Sequence, residues 1–293
     1  MAASPPMMFL PQAKAFDWKN FAARATSGVI LASGALLAVW VFDWPAFLWR
    51  APFLMMISVA GVLLSMEWAA MATPRAARRA AILSSVAVVA VILLTFAGRY
   101  GAAWAYGAAW ACVALGALAV AVATRKEAAH AVDGAYGVFY IAPACLVLVW
   151  LIDTSQGRGW TLMLFAVTWS ADIGAFLVGS ALKGPKLWPR FSPNKTWSGF
   201  VGGLAASIVA SVAVAAVFMH LSLVGAGVIG LCGGLATMAG DLWESMLKRR
   251  FGVKDSGDLI PGHGGLLDRV DGLMFAVMAF AVARLVVHWG WAH

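Results

Sequence analysis

The chain has 293 residues, 62% hydrophobic and only 12% charged, with a mean hydropathy of +0.85. A soluble domain carries about 25% charged residues, so this chain cannot cover a water-facing surface. That excludes a disordered chain, a nucleic-acid module and an ordinary cytosolic enzyme, and it leaves a net charge of +8 concentrated on few residues.

Residues 1–26 form a basic N-terminal tail with Lys14, Phe16, Trp18, Lys19 and Phe21. They read as a disordered basic end; a short helix lying on an anionic leaflet is the alternative. The tail is long and no clear small-residue cleavage site follows, so the first apolar segment is not read as a cleavable signal. A span needs ~20 mostly apolar residues. Segments 27–42, 52–72, 80–97, 101–123, 134–152, 160–182, 198–219, 221–246 and 272–291 meet that description or approach it. They predict an all-α, polytopic integral membrane protein of about nine transmembrane helices. Residues 27–152 form the N-terminal helices. Residues 153–293 form a catalytic transmembrane region with polar loops at 183–197 and 247–271.

Lys and Arg test this reading. They cluster in the tail (Lys14, Lys19, Arg24), at Arg75, Arg78 and Arg79, at Arg125 and Lys126, at Lys183, Lys186, Arg190 and Lys195, and at Lys248, Arg249, Arg250, Lys254 and Arg269. The intervening loops hold Arg50, Arg99, Arg158 or none. Positive loops stay cytoplasmic, which puts the N-terminus and the polar loops inside and the C-terminus outside. Trp44, Trp49, Trp160, Trp289 and Trp291 then fall at outer ends, as interfacial anchors. Arg284 is expected to snorkel outward. Cys112, Cys145 and Cys232 show no paired or metal-ligand spacing and read as small buried hydrophobes.

Glu67, Asp172, Asp241 and Glu244 fall within or at the ends of spans. A charge at the bilayer centre costs at least ~2.5 kcal/mol, so such groups face protein or a water-filled cavity. Glu67 either reaches water from a near-end position or has a structural partner. Asp172 sits mid-segment among small residues that let another backbone approach, which favours a functional role. Asp241, Glu244, Ser245 and Lys248 are spaced three, four and seven apart and share one helix face.

The stretch from Ser245 to Gly272 is the most specific part of the chain. It combines cations at Lys248, Arg249, Lys254 and Arg269, glycines at 257, 262, 264 and 265, and carboxylates at Asp255, Asp258, Asp268 and Asp271. Cations and close backbone amides bind phosphate oxygens. Magnesium takes one or two carboxylates plus substrate phosphates. The combination implies a cytosol-facing site for a metal-bound polyphosphate. His263 lies between glycines, and composition alone leaves it neutral.

This stretch resembles the signature of the phosphatidate cytidylyltransferases, the CDP-diacylglycerol synthases. The match runs from Ser245 through Lys248, Arg249, Lys254, Asp255, His263, Gly264 and Gly265 to Asp268, Arg269 and Asp271. Asp172 to Gly179 and Phe191 to Gly199 are similar to further stretches of that family. The resemblance is strong over residues 165–275. It implies transfer of a cytidylyl group from CTP to phosphatidate, giving CDP-diacylglycerol and diphosphate, with Mg2+ as cofactor and a second cation sharing its carboxylates. It implies catalytic roles for Asp241, Lys248, Arg249, Asp268 and Asp271, and a metal held by Asp241, Asp268 and Asp271. Substrate-binding roles fall to Asp172, Ser192, Lys195, Ser245, Lys254, Asp255, His263, Gly264, Gly265 and Arg269. A homodimer is implied by the resemblance alone. The charge pattern suggests a bacterial plasma (inner) membrane. Two competitors remain at this stage. A CTP-using polyprenol or phytol kinase would release CDP instead of diphosphate. A secondary transporter would carry polar residues near the midplane of several helices.

Overall fold

In a computed structural model of the chain, residues 18–40, 51–126, 128–189, 191–259 and 264–290 are described. They form α1 (Trp18–Trp40), α2 (Ala51–Ala72), α3 (Ala77–Gly98), α4 (Trp104–Thr124), α5 (Ala128–Asp153), α6 (Gly157–Leu182), β1 (Lys186–Trp188), β2 (Ser192–Thr196), α7 (Trp197–Phe218), α8 (Leu223–Arg250) and α9 (Leu267–His288). Helices dominate because backbone N–H and C=O groups have no water to bond in hydrocarbon and must pair within the segment.

Among the described residues, eight helices, α2 to α9, are long and apolar enough to cross a bilayer, and this is a multi-pass membrane protein. The first helix differs from expectation. It starts at Trp18, inside the stretch read as a tail, and among its described residues the apolar part is Gly28–Trp40. Trp44, Trp49 and Trp291 lie outside the described residues.

The fifth helix is the centre of the bundle. Most of its apolar window is buried, whereas the other spans bury less than half of theirs. It packs against α2, α3, α4, α6 and α9. Its buried Val138, Ile141, Ala142, Val149 and Leu151 form the middle of the core. Around it, α6 and α7 pack most closely of all. A Cβ added at Gly203 would stand 2.6 Å from the Ala171 carbonyl, and one at Gly199 2.7 Å from that of Ala175. Only glycine permits this approach, and it seats α7 beside the part of α6 that carries Asp172. In the same way, a Cβ at Gly240 would meet the Asp271 carbonyl at 2.5 Å, and one at Gly272 the Thr237 side chain at 2.7 Å. These contacts lock α8 against α9 where Asp241 and Asp271 lie.

The connections rich in Lys and Arg gather at one end. Glu67 near the end of α2 bonds the start of α9, Arg250 at the end of α8 pairs with Asp133 near the start of α5 (2.6 Å), and Lys195 of β2 pairs with Asp241 of α8. At the opposite end, Arg99 pairs with Asp153 (3.5 Å). Arg284 is buried, donates to Ser155 Oγ at 2.6 Å in the exposed turn after α5 and lies over the Trp160 ring, so it reaches toward that end while packing on an aromatic of the bundle. Trp160 is therefore a core residue packed on Phe280, not an interfacial anchor; Trp289 is exposed. Of the cysteines, Cys145 is buried but Cys232 is exposed on the flank of α8, where lipid accepts a thiol as readily as protein does.

Two local features depart from the expected loops. Residues 183–197 contain an antiparallel hairpin, with Lys186 opposite Thr196 and Trp188 opposite Ser192. The 247–271 loop is shorter than expected. The eighth helix runs on to Arg250 and α9 begins at Leu267, so Lys248, Arg249, Asp268 and Asp271 all stand on helices. The basic last turn of α8 and the acidic first turn of α9 both suit the helix dipole. Thr196 ends the hairpin and caps α7, its Oγ1 accepting from Gly199 N at 3.1 Å. Thr196→Ala should destabilise the protein by about 1 kcal/mol, seen as a lowered unfolding midpoint in detergent; an unchanged midpoint would mean that water replaces the cap.

Candidate active site

The site is built on α8. Because Asp241, Glu244 and Lys248 are spaced at helical intervals, they project from one face, and each meets a different neighbour. Lys248 Nζ donates to Glu244 Oε2 at 3.4 Å and to Asp268 Oδ1 at 2.6 Å. Asp241, half-exposed, forms its ion pair with Lys195, which β2 holds across from α8. Asp271 on α9 lies within electrostatic reach of Asp241, Glu244 and Asp172. Its carboxyl adjoins that of Glu244. Asp172 on α6 lies within reach of Asp241, Lys195 and Arg269.

Four carboxylates from three helices therefore converge: Asp172, Asp241, Glu244 and Asp271. Lys195, Lys248 and Arg269 border them. Asp172 is exposed on the flank of the bundle, ten residues from the end of α6, a depth of about 15 Å. Glu244 is wholly buried, and its Oε1 has no hydrogen-bond partner.

Asp268 takes a different place. Its Oδ2 accepts from Ser256 N at 3.0 Å and Gly265 N at 3.1 Å, while Oδ1 takes Lys248. Both oxygens are occupied in holding the 251–266 connection and aiming Lys248. Glu67 does the corresponding work from α2. Its oxygens accept from Leu266 N and Leu267 N, both at 2.8 Å, and from Ser256 Oγ at 3.3 Å. These amides open α9 and would otherwise be orphaned. Glu67 thus has a structural partner and does not reach for water. Gly265 leaves no room for a side chain: a Cβ there would overlap Ser256 Oγ and stand 3.0 Å from Glu67 Oε2. Gly264 adopts φ +82°, a left-handed conformation natural to glycine.

The remaining candidates occupy the rim. Arg249 is exposed and bonds the Val253 carbonyl at 3.4 Å. Lys254 and Asp255 are exposed; Ser192 and Ser245 are half-buried. His263 lies outside the described residues. Sequence reasoning named Glu244 as an acidic residue of a span and a member of the α8 face, without a role in the site. It passed over Asp133, which ties α5 to Arg250, and the aromatic wall of Trp68, Tyr136, Tyr140, Trp243 and Phe275 behind the carboxylates. The signal available for that wall was two tyrosines four apart on α5, close to the basic end.

Among the described residues, no three acidic, His or Cys side chains form a complete protein cage for a metal. Magnesium does not need one; it keeps several waters and takes one or two carboxylates plus phosphate oxygens. Asp241 and Asp271 supply hard oxygen donors of that kind, and the unpartnered Glu244 oxygen beside them adds an acceptor without a donor. The donor set fits a divalent cation brought in with a polyphosphate.

The sequence model described as the cytidylyltransferase family matches residues 22–287. A phosphatidate cytidylyltransferase of Brucella suis biovar 1 (strain 1330) is 50% identical over 144 residues, 48% of this chain and 53% of the relative. One from Staphylococcus saprophyticus subsp. saprophyticus is 43% identical over 147 residues, 50% of this chain and 56% of the relative. One from Staphylococcus aureus (strain COL) is 40% identical over 148 residues, with the same shares. The chain thus matches over about half the length of these curated relatives.

Proposed function

We propose, from the premise that this chain belongs to the cytidylyltransferase family, that it transfers a cytidylyl group from CTP to phosphatidate, forming CDP-diacylglycerol and diphosphate in phospholipid biosynthesis. The relatives named as phosphatidate cytidylyltransferases support the choice of acceptor. The single observation that carries the reading is the meeting of Asp172, Asp241 and Asp271 with Lys195, Lys248 and Arg269 at the basic end of the bundle. The same proposal places that end in the cytoplasm and the protein in a bacterial inner membrane, as a homodimer. Clustered cations on one side of the bilayer favour that orientation.

The two substrates differ in how they reach such a site. CTP comes from water. Phosphatidate keeps its chains in lipid and presents only its phosphate, and Asp172, exposed on the flank of α6, borders a route from that side. An oxygen of the phosphatidate phosphate attacks the α-phosphorus of CTP in line. The bond from that phosphorus to the β-phosphate oxygen breaks, and diphosphate leaves with the electron pair. Phosphatidate is largely ionised at neutral pH, so no side chain has to remove a proton. Lys195 and Lys248 neutralise phosphate oxygens from opposite sides, with Arg269, Arg249 and Lys254 at the mouth and Ser192 and Ser245 as neutral donors. Gly264 and Gly265 belong to the strap between α8 and α9 that borders the phosphates, with Asp255 at its edge, and His263 takes its substrate-binding role from the family signature alone. Asp268 keeps Lys248 and that strap in register. When bound by Asp241 and Asp271, magnesium would supply charge neutralisation for the phosphates and the departing diphosphate. Positioning and electrostatic stabilisation account for most catalysis in phosphoryl-type transfer, which suits a site without an obvious covalent nucleophile.

The test uses purified protein, phosphatidate vesicles, Mg2+ and CTP labelled in the cytosine ring. Label is expected in the lipid phase, with one diphosphate released per label transferred. Label that stays in water as CDP would replace the transferase with a kinase, and no turnover at all would remove the enzymatic reading.

A further inference from the structure

Tyr140 stands on α5, in the half of the chain that carries no family signature, and it is buried. Its ring is held from several sides. It stacks on Tyr136 (6.0 Å between centroids, 15° between planes), packs on Trp68 at 5.5 Å and meets Phe275 at 6.3 Å. Phe275 is one turn beyond Asp271 on α9. Tyr136 accepts at its hydroxyl from Trp243 Nε1 at 3.1 Å, and Trp243 precedes Glu244 on α8. These contacts aim the Tyr140 phenol at the α8–α9 junction, within electrostatic reach of Glu244, Asp271 and Asp241.

Among the described residues, two buried polar atoms here lack hydrogen-bond partners: the Tyr140 hydroxyl and Glu244 Oε1. One is a donor and the other an acceptor. Leaving either unsatisfied opposes folding, and packing alone would be served as well by phenylalanine. A donor within electrostatic reach of two adjoining carboxyls can hold them in one arrangement through one water with several polar partners. We infer that Tyr140 is a positioning residue whose hydroxyl fixes the Glu244–Asp271 carboxyl pair and thereby the direction in which Asp271 faces Asp241. This rests on the proposed function for the purpose of those carboxylates, but it adds a residue and a layer of support behind them.

The test is Tyr140→Phe in the full-length protein, which keeps the ring and removes one oxygen. Partners behind metal-binding side chains typically contribute 10–100-fold to activity or metal affinity. Turnover is therefore expected to fall by roughly 10–100-fold, with KM for CTP and phosphatidate little changed and the Mg2+ requirement raised. Affinity for Mn2+ in the presence of CTP and the absence of phosphatidate, read by electron paramagnetic resonance, should weaken by a similar factor. The unfolding midpoint should change little, because the ring and its packing are kept and one hydrogen bond contributes only modestly to net stability. Unchanged turnover and unchanged Mn2+ affinity would overturn the proposal, as would a large fall in the midpoint that accounts for the lost turnover. Should the unaltered protein lack transferase activity, the functional reading fails, and the Mn2+ titration still decides the role of Tyr140. An unaltered protein that binds no Mn2+ even beside CTP overturns the inference about Tyr140, while the transfer assay alone decides the functional reading.

Discussion

Asp241→Asn is expected to lower cytidylyl transfer by more than about a hundredfold, because losing even an indirect supporter of a metal ligand costs 10–100-fold. The substitution keeps the side-chain shape and removes one charge. Asp241 is half-exposed, so its loss should leave the unfolding midpoint nearly unchanged. It also frees Lys195, whose ion pair ends with the carboxylate. A freed lysine would bind phosphate at least as well as before, so KM for CTP should not rise in step with the fall in kcat. Steady-state kinetics across a Mg2+ series would separate the two effects. Asp268→Asn makes the informative comparison. Its carboxylate anchors Ser256 N, Gly265 N and Lys248, so its loss should lower stability together with turnover. Full activity in the Asp241 variant beside a stable but inactive Asp268 variant would return the metal role to Asp268.

Glu67→Ala should be the most destabilising single change at the site. It orphans Leu266 N, Leu267 N and Ser256 Oγ in one step, and Leu267 and Ser256 are buried. Hydrogen bonds to a charged group contribute ~1.5–3 kcal/mol each. Incomplete additivity brings the loss to on the order of 3–5 kcal/mol, a large share of the ~5–15 kcal/mol that holds a typical domain together. The connection 251–266 should become open to proteases, and transfer should cease although every phosphate-facing side chain remains. Glu67→Gln keeps one acceptor oxygen and should fall between the two. Thermal unfolding in detergent with limited proteolysis would read both variants. A Glu67→Ala protein with an unaltered midpoint and a protected connection would show that Asp268 alone holds the strap.

The reach of the sequence follows from which interactions are local. The spans were legible because hydrocarbon obliges each crossing segment to be apolar and to satisfy its own backbone, and both demands are met within about twenty residues. The shared face of Asp241, Glu244 and Lys248 was legible for a similar reason, since helical spacing alone brings them together. The full extents of α8 and α9 were not legible because Arg249 and Asp268 look like loop residues by polarity. At helix ends they are favoured by the dipole. The β1–β2 hairpin, three and five residues long, was too short to leave a periodic signal.

Pairings across the bundle had no such local trace. Glu67 bonds an amide 199 positions away, Arg250 a carboxylate 117 away, and Trp243 a hydroxyl 107 away. Composition and spacing told that carboxylates and cations share the basic end of a membrane bundle. How they sort there, with Asp268 holding the strap while Asp172 and Asp271 face Asp241, depends on glycine contacts that set how closely α6 approaches α7 and α8 approaches α9. Such distances are set by which helices become neighbours, and a chain read one residue at a time does not contain them.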